Sequence, residues 1–190
     1  MTVLLIDRAM YEAYSDEIAR IEAATGGSIE PVFIPPPGER LTAEDLERID
    51  IGTPPNGDYE PDGARRFYGG ALRAPNIRWV HLPHAGIDDP VFGQLLDAGV
   101  RLTNASGAMA EPIAWSAIAG LLQLARGFPR WAASQRRHEW ETHPRAEFPR
   151  DLREQTIVVF GLGAIGMEIA RLAQALHLHV IGVRRSPARD

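Results

Sequence analysis

The chain has 190 residues with 45% hydrophobic content, a formal net charge of −5 and no cysteine. The missing cysteines exclude disulfides and thiolate metal sites, and because all 20 basic residues are arginine, lysine Schiff bases and P-loop lysines are excluded too. The acidic balance argues against broad nucleic-acid binding, and no apolar run reaches the roughly 18 residues of a membrane span. The start lacks the features of a signal peptide, so we expect a soluble, cytoplasmic protein.

In the first half of the chain, strand and helix patterns alternate with short connections. We predict strands at residues 2–6, 31–34, 49–52, 77–82 and 100–103. We predict helices at residues 11–24, 42–47, 64–68 and 90–98, with glycine pairs at 26–27 and 69–70 ending two of them. Residues 53–63 are a loop by composition, and the Asn56-Gly57 pair favours a turn. This alternation indicates a parallel, doubly wound α/β sheet.

Two helices are predicted next, at about residues 109–126 and 129–140. The first is apolar on most of its sides, which is typical of a helix buried between lobes or in an oligomer interface. A polar segment, residues 141–151, then leads into another strand–helix–strand pattern. We therefore divide the chain into a first α/β lobe, residues 1–103, and a second lobe, residues 104–190.

The second lobe holds a single strand–helix–strand unit, because only seven residues follow Val183. Parallel sheets need several strands and helices on both faces to bury their backbone and side chains. We therefore expect these residues to be the front part of a longer protein, or to be completed by another polypeptide.

The segment after residue 156 carries a glycine-rich turn of the dinucleotide-binding type. In G-L-G-A-I-G, Gly161 permits a tight turn, Gly163 lets the backbone approach a pyrophosphate, and Gly166 lets helix and strand pack closely. The amides of Ala164 and Ile165 would point from the helix N-terminus at the phosphates. Two alternatives stay open: a purely structural strand–helix junction, and the glycine loop of a methyltransferase that binds S-adenosylmethionine.

The end of the second strand bears on the choice of cofactor. An NAD site normally carries an acid there for the ribose hydroxyl, whereas an NADP site accommodates the 2′-phosphate with arginine. Here Val183 is followed by Arg184, Arg185 and Ser186, with no acid until Asp190. Guanidinium groups bind phosphate in a bidentate manner, so we predict NADP, with NAD as a possible substitute. The alternative is that these are exposed loop arginines.

Several other polar patterns give weaker signals. The string HEWETH is close to the zinc motif HExxH, but its histidines, His138 and His143, are five residues apart, which leaves them about 140° apart on a helix. We predict no metal site. His177 and His179 fit a connecting role, and His81 a hydrogen-bonded structural role. No serine stands in a GxSxG elbow, which leaves nucleophilic hydrolysis without support.

Three stretches in this order and spacing resemble the D-isomer-specific 2-hydroxyacid dehydrogenase family. The first, IRWVHLPHAGIDD, resembles the family's strand and substrate loop, with its small-Gly-x-Asp core at residues 85–88. The second, RLTNASGAMAEPIAWSAIAGLLQLAR, resembles the interlobe strand and the long helix used in dimerisation. The third, TIVVFGLGAIGMEIARLAQALHLHVIGVRRSP, resembles the dinucleotide fingerprint. One departure is Ile113-Ala114-Trp115, where the family often has V-A-E, which bears on the subfamily.

The resemblance implies a flavodoxin-like substrate lobe followed by an incomplete Rossmann lobe. It implies hydride transfer between a nicotinamide cofactor and a 2-oxoacid or D-2-hydroxyacid, for example glyoxylate or hydroxypyruvate, held between the lobes. Backbone amides matching Ala85 and Gly86 would hold the substrate carboxylate, which agrees with the close backbone approach that glycine allows. The alternative is a plain strand-to-helix turn with Asp88 as helix N-cap.

In the family, the substrate arginine and the histidine–carboxylate pair lie C-terminal to the fingerprint. We therefore assign no catalytic residue within this chain, and we expect these residues alone to be inactive. The resemblance also implies a homodimer through helix 109–126. A non-enzymatic dinucleotide sensor or scaffold on the same fold is the alternative function.

Overall fold

The computed structural model describes residues 1–55, 62–142 and 144–186. The chain forms two compact units, Met1–Ala105 and Ser106–Asp190. The predicted Asn56-Gly57 turn lies outside the described residues. Within the described ranges, no helix combines the length and the apolar character needed to cross a membrane.

The first unit is a five-stranded parallel sheet with helices between its strands. Its strands are β1 (Thr2–Ile6), β2 (Ile29–Phe33), β3 (Ile51–Gly52), β4 (Trp79–Leu82) and β5 (Arg101–Asn104). Its helices are α1 (Arg8–Ala13), α2 (Ser15–Thr25), α3 (Ala43–Arg48), α4 (Gly63–Ala71) and α5 (Pro90–Asp97). The strand order is β2-β1-β3-β4-β5, and every pair is parallel. This is the flavodoxin-like order, so the predicted fold class of this lobe is confirmed.

The core of the first unit lies between the sheet and helices α4 and α5. Leu5, Phe67, Val80 and Leu95 are completely buried there. Alternate residues of β4 are buried, as expected for a strand whose two faces have different surroundings. The sheet therefore holds the carboxyl ends of β4 and β5 in fixed positions.

The predicted helix at residues 11–24 was wrong in extent. Asp7 caps α1 by accepting from the Met10 amide at 3.0 Å, so this helix begins at Arg8. The chain leaves helical geometry at Tyr14 (φ −109°, ψ 22°), and α2 begins at the next residue. An aspartate N-cap is a recognisable signal, but the interruption at Tyr14 has no cue in the sequence.

The prediction that Gly69 and Gly70 end a helix was also wrong. Helix α4 continues through both of them to Ala71. A Cβ at Gly70 would lie 2.9 Å from the Leu41 Cδ1 atom, so this glycine permits close packing of the helix. The predicted Thr42 cap, in contrast, is confirmed, and it forms a capping box with Asp45.

The second unit begins with α6 (Ala110–Ala125) and α7 (Phe128–Arg136). It continues through two short 3₁₀ turns to β6 (Thr156–Phe160), α8 (Ala164–Ala175) and β7 (His179–Val183). Helix α6 packs on α8, where Ile118, Ala173 and Leu178 form a small buried cluster. This is the first strand–helix–strand unit of a Rossmann-type sheet, as predicted.

Helix α7 ends four residues earlier than predicted. His138 adopts the left-handed conformation (φ 55°), the His138 amide donates to the Gln135 carbonyl, and the Glu139 amide donates to the Ser134 carbonyl. These bonds form a Schellman motif, which normally uses glycine at the left-handed position. Because histidine stands there, the sequence pattern did not show where the helix ends.

Strands β6 and β7 are parallel and in register from Thr156–His179 to Phe160–Val183. One face of this two-stranded sheet packs on α8. The other face carries the apolar side chains of Val158, Phe160, Ile181 and Val183, and Phe160 is 80% exposed. Both strands end at the same edge, which places the residues that follow them side by side.

Candidate functional site

The first glycine of the fingerprint turns the chain sharply at the end of β6. Gly161 has a φ of +91°, which L-amino acids with side chains rarely adopt. Its amide donates to the Val183 carbonyl at 2.8 Å. The glycine loop is therefore attached directly to the last residue of β7.

The second and third glycines meet different surroundings. A Cβ at Gly166 would overlap the Gly161 carbonyl oxygen and lie 3.4 Å from the Val159 Cγ1 atom. A Cβ at Gly163 would meet no heavy atom within 4 Å, and Gly163 has an ordinary extended backbone (φ −82°, ψ −167°). Gly166 is thus required for helix–strand packing, whereas the space next to Gly163 is open to a ligand.

The N-terminus of α8 supplies donors beside this open space. The first bond of the helix ladder runs from the Met167 amide to the Gly163 carbonyl at 2.9 Å. The amides of Ala164 and Ile165 precede this bond and have no acceptor within the helix. Glu168, the acidic residue of α8, pairs with Arg171, and this hydrogen bond holds the pKa of the Glu168 carboxyl below its usual range. Because Arg171 balances the charge of Glu168, the N-terminus of α8 remains suited to an anion.

Leu162, the residue between the first two glycines, is anchored on β7. A Cβ at Gly182 would lie 2.7 Å from the Leu162 Cδ1 atom. Glycine at position 182 therefore leaves room for this leucine. The sequence reasoning did not identify this contact, because the two residues are 20 positions apart.

The arginines predicted to bind phosphate lie where β7 ends. Arg184 directly follows Val183, and Arg184, Arg185 and Ser186 are all exposed. Within residues 1–55, 62–142 and 144–186, neither arginine forms an ion pair. The positive charge is therefore not neutralised by the described part of the protein.

The predicted substrate loop connects β4 to α5 in the first unit. It begins after the buried Leu82, and its residues 84–89 are exposed. The N-cap of α5 is Asp89, whose carboxylate accepts from the Val91 amide at 2.9 Å, so the alternative of a cap at Asp88 was wrong. Pro90 occupies the first helical position, which makes the preceding residue the cap.

Two side chains that the sequence reasoning did not use as site residues contact this loop. The Asn104 Nδ2 atom donates to the Ala85 carbonyl at 3.1 Å. The His84 Nδ1 atom lies 3.0 Å from the Gly86 carbonyl oxygen. Asn104 ends β5 and lies opposite Leu82 in the sheet register. A polar residue at the carboxyl end of a neighbouring parallel strand was the available signal.

The remaining histidines do not extend this loop: His81 has a side-chain partner, His179 is the first residue of β7 rather than a connecting residue, and His143 lies outside the described residues. His81 Nδ1 lies 2.9 Å from the Thr103 Oγ1 atom, which also accepts from the Trp79 indole at 2.8 Å. His177 adopts the left-handed conformation (φ 62°) directly after α8, as a connecting residue. In HEWETH, His143 lies outside the described residues, and Glu141 is bound by Arg130 at 2.6 Å. In the described part of the chain, no group of three potential ligands could hold a metal ion.

The second unit matches a family of known proteins. Residues 118–190 match the model of the D-isomer specific 2-hydroxyacid dehydrogenase NAD binding domain. The fingerprint described above lies within this range. The match indicates an NAD-binding domain and favours a dinucleotide over S-adenosylmethionine.

Curated relatives include enzymes of this family. The chain is 36% identical over 112 residues to an uncharacterized protein of Streptomyces coelicolor, covering 59% of this chain and 38% of that protein. It is 25% identical over 168 residues to a D-3-phosphoglycerate dehydrogenase of Methanocaldococcus jannaschii, covering 88% of this chain and 28% of that protein. It is 30% identical over 125 residues to a glyoxylate reductase of Aeropyrum pernix, covering 62% of this chain and 37% of that protein. The match thus spans little more than a third of these relatives at most.

Solved structures share the fold over nearly the whole chain. A D-lactate dehydrogenase of Treponema pallidum superposes with a TM-score of 0.68 at 21% identity, covering 100% of this chain and 55% of that one. A D-isomer specific 2-hydroxyacid dehydrogenase of Xanthobacter autotrophicus, solved with NADPH and MES, superposes with a TM-score of 0.67 at 22% identity, covering 99% of this chain and 55% of that one. With the match of residues 118–190 and the curated relatives, these findings show that the chain is similar to D-isomer-specific 2-hydroxyacid dehydrogenases and shares their fold.

Proposed function

We propose that the protein is an oxidoreductase that interconverts a 2-oxoacid and a D-2-hydroxyacid, with NADP preferred over NAD. The observation that carries the cofactor proposal is the bond from the Gly161 amide to the Val183 carbonyl. This bond places the glycine loop next to the strand end that Arg184 follows. The backbone of the glycine loop and the two arginines thus lie at one sheet edge.

The chemistry of these groups fits a phosphorylated dinucleotide. The amides of Ala164 and Ile165 suit the pyrophosphate, and the open space at Gly163 allows it to approach the backbone. Arg184 and Arg185, with the Ser186 hydroxyl, suit a 2′-phosphate, which an acid at this position would repel. Proteins of this fold have been solved with NADPH and with NAD, so the choice of NADP rests on the two arginines. When bound, the nicotinamide supplies or accepts the hydride.

The substrate proposal depends on the loop after β4. The amides of Ala85 and Gly86 would hold the substrate carboxylate, since a Cβ at Gly86 would meet no heavy atom within 4 Å and an anion can approach there. The Aeropyrum relative is a glyoxylate reductase, which favours a small 2-oxoacid such as glyoxylate or hydroxypyruvate. We assign no catalytic acid or base among the described residues.

We further propose that two copies associate through helix α6. Ala114 and Ile118 are buried, but Trp115 and Leu124 on the same helix are 54% and 76% exposed. Exposed apolar side chains of this size on one helix are typical of an interface. Sedimentation of the full-length protein is expected to give a dimer, and a Trp115→Glu, Leu124→Glu variant is expected to give a monomer.

Reductase assays of the full-length protein test the main proposal. We expect oxidation of NADPH, and slower oxidation of NADH, with glyoxylate, hydroxypyruvate or another member of a 2-oxoacid panel. Absence of turnover with every 2-oxoacid would refute the enzymatic proposal. If NADPH still bound under those conditions, the result would favour the sensor alternative.

A further inference from the structure

A glycine in a substrate loop needs its two backbone torsions to be restrained. Gly86 lacks a Cβ, which leaves it freer to rotate than any other residue type. The direction of its amide N–H, which the proposed function assigns to the substrate carboxylate, would vary with these torsions. The structure restrains them from both sides.

The restraint before Gly86 comes from Asn104. Its side-chain amide donates to the Ala85 carbonyl at 3.1 Å, and that carbonyl belongs to the peptide unit that carries the Gly86 N–H. A trans peptide unit is planar, and its C=O and N–H groups point in opposite directions. Holding the oxygen towards β5 therefore turns the Gly86 N–H away from β5.

The restraint after Gly86 comes from His84. A carbonyl oxygen only accepts, so the His84 Nδ1 atom carries the proton in its 3.0 Å contact with the Gly86 carbonyl. The ring is held in turn by Phe92 of α5, whose centroid is 6.2 Å away. The carbonyls on both sides of the Gly86 Cα atom are thus fixed by different side chains.

The Gly86 amide itself keeps a free hydrogen. Among the described residues, no protein atom accepts from the Gly86 N–H. The loop therefore holds an exposed donor in one direction without using it internally. Preorganised donors of this kind bind an anion with little reorganisation.

We propose that Asn104 and His84 are positioning residues that lock the torsions of Gly86 so that its amide is presented to the substrate carboxylate. This inference rests on the proposed function, since that function supplies the carboxylate. Neither side chain needs to touch the substrate. Their effect is expected on carboxylate binding and on the mobility of Gly86.

The test uses four variants of the full-length protein. Asn104→Leu keeps roughly the side-chain size and removes the donor without adding a charge beside the carboxylate, and His84→Ala removes the ring from an exposed loop. His84→Asn retains a donor near the position of Nδ1. Asn76→Leu is the matched control, because Asn76 Nδ2 donates to the Glu47 carbonyl at 2.7 Å at another place in the same unit.

The readouts are the affinity for oxamate, a carboxylate analogue of a 2-oxoacid, with NADPH present, and the NMR order parameter of the Gly86 amide. We expect Asn104→Leu and His84→Ala to raise the oxamate Kd about tenfold and to lower the Gly86 order parameter, because each variant removes one hydrogen bond that holds the loop. We expect His84→Asn and Asn76→Leu to change the Kd less than about twofold.

The possible failures are distinguishable. If oxamate binds the unmodified protein, but Asn104→Leu and His84→Ala behave like Asn76→Leu, the positioning inference is overturned and the proposed function stands. If oxamate does not bind the unmodified protein at all, the proposed substrate site is wrong and the inference is overturned with it.

Discussion

A Cβ on Gly166 would overlap the carbonyl oxygen of Gly161, which fixes both the tilt of α8 and the course of the glycine loop. The two residues are the ends of the GxGxxG pattern. Gly163, between them, faces open space. The same motif therefore contains one glycine that helix packing requires and one whose surroundings are open, where we propose that the cofactor approaches, and substitution separates the two roles.

We predict that Gly166→Ala destabilises the second unit by about 3 kcal/mol or more, because overpacking against backbone cannot be relieved by a rotamer change. Gly163→Ala is expected to leave the free energy of unfolding nearly unchanged and to weaken NADPH binding. Chemical denaturation and NADPH titration measure the two effects. Equal loss of stability in both variants would contradict this separation.

Arg184→Asp is predicted to weaken NADPH binding at least about tenfold while changing NADH binding little, because charge-assisted contacts contribute about 1.5–3 kcal/mol each. Fluorescence titration with both cofactors measures the ratio. Arg150→Asp, at another exposed position of the same unit, controls for the change in net charge. An unchanged ratio in Arg184→Asp would identify Arg184 as an ordinary surface arginine.

His177→Gly is predicted to stabilise the second unit by roughly 0.5–1 kcal/mol, because His177 holds a left-handed conformation that glycine adopts without a Cβ penalty. The His177 and Leu178 amides close a Schellman motif onto the Gln174 and Ala173 carbonyls, and glycine preserves both bonds. Thermal unfolding measures the gain. His177→Ala keeps the Cβ and is the control, and an equal gain from alanine would rule out the backbone explanation.

The stability of the first unit is predicted to fall as the pH rises from about 10 to 12. Burial, with a smaller contribution from Asp89, raises the pKa of Tyr68 from 10.0 to about 12. The folded state therefore keeps its proton where the unfolded state loses it, and stability that is complete below pH 10 is lost as the pH approaches 12. Unfolding of Tyr68→Phe across this range should show a shallower decline. Identical slopes in both proteins would contradict the assignment.

The sequence was sufficient where local chemistry determines structure. The spacing of Gly161, Gly163 and Gly166 between a strand and a helix predicted the turn, and Thr42 predicted its helix start. It was insufficient where residues distant in the sequence determine the structure. Gly70, for example, lies inside α4 because the helix packs closely against Leu41. It also failed where a residue adopts a conformation that is rare for its type, as His138 does after α7.

The candidate site divides in the same way. The glycine loop is a local motif, so its residues could be named from their spacing. Asn104 and Ala85 are 19 residues apart and meet only because β4 and β5 are neighbours in the sheet. The spacing of residues within one helix or strand cannot predict such a contact, because the contact depends on the order of the strands in the sheet.

The two sheets differ in how many of their strand edges are paired. Strand β1 lies between β2 and β3, so its backbone is hydrogen-bonded on both sides, whereas β6 and β7 pair only with each other among the described residues. Every second amide of β6 therefore points away from its partner strand and has no ladder acceptor. Amide hydrogen exchange along β6 is therefore expected to alternate between slow and fast residues. Successive amides in the middle of β1 are all expected to exchange slowly.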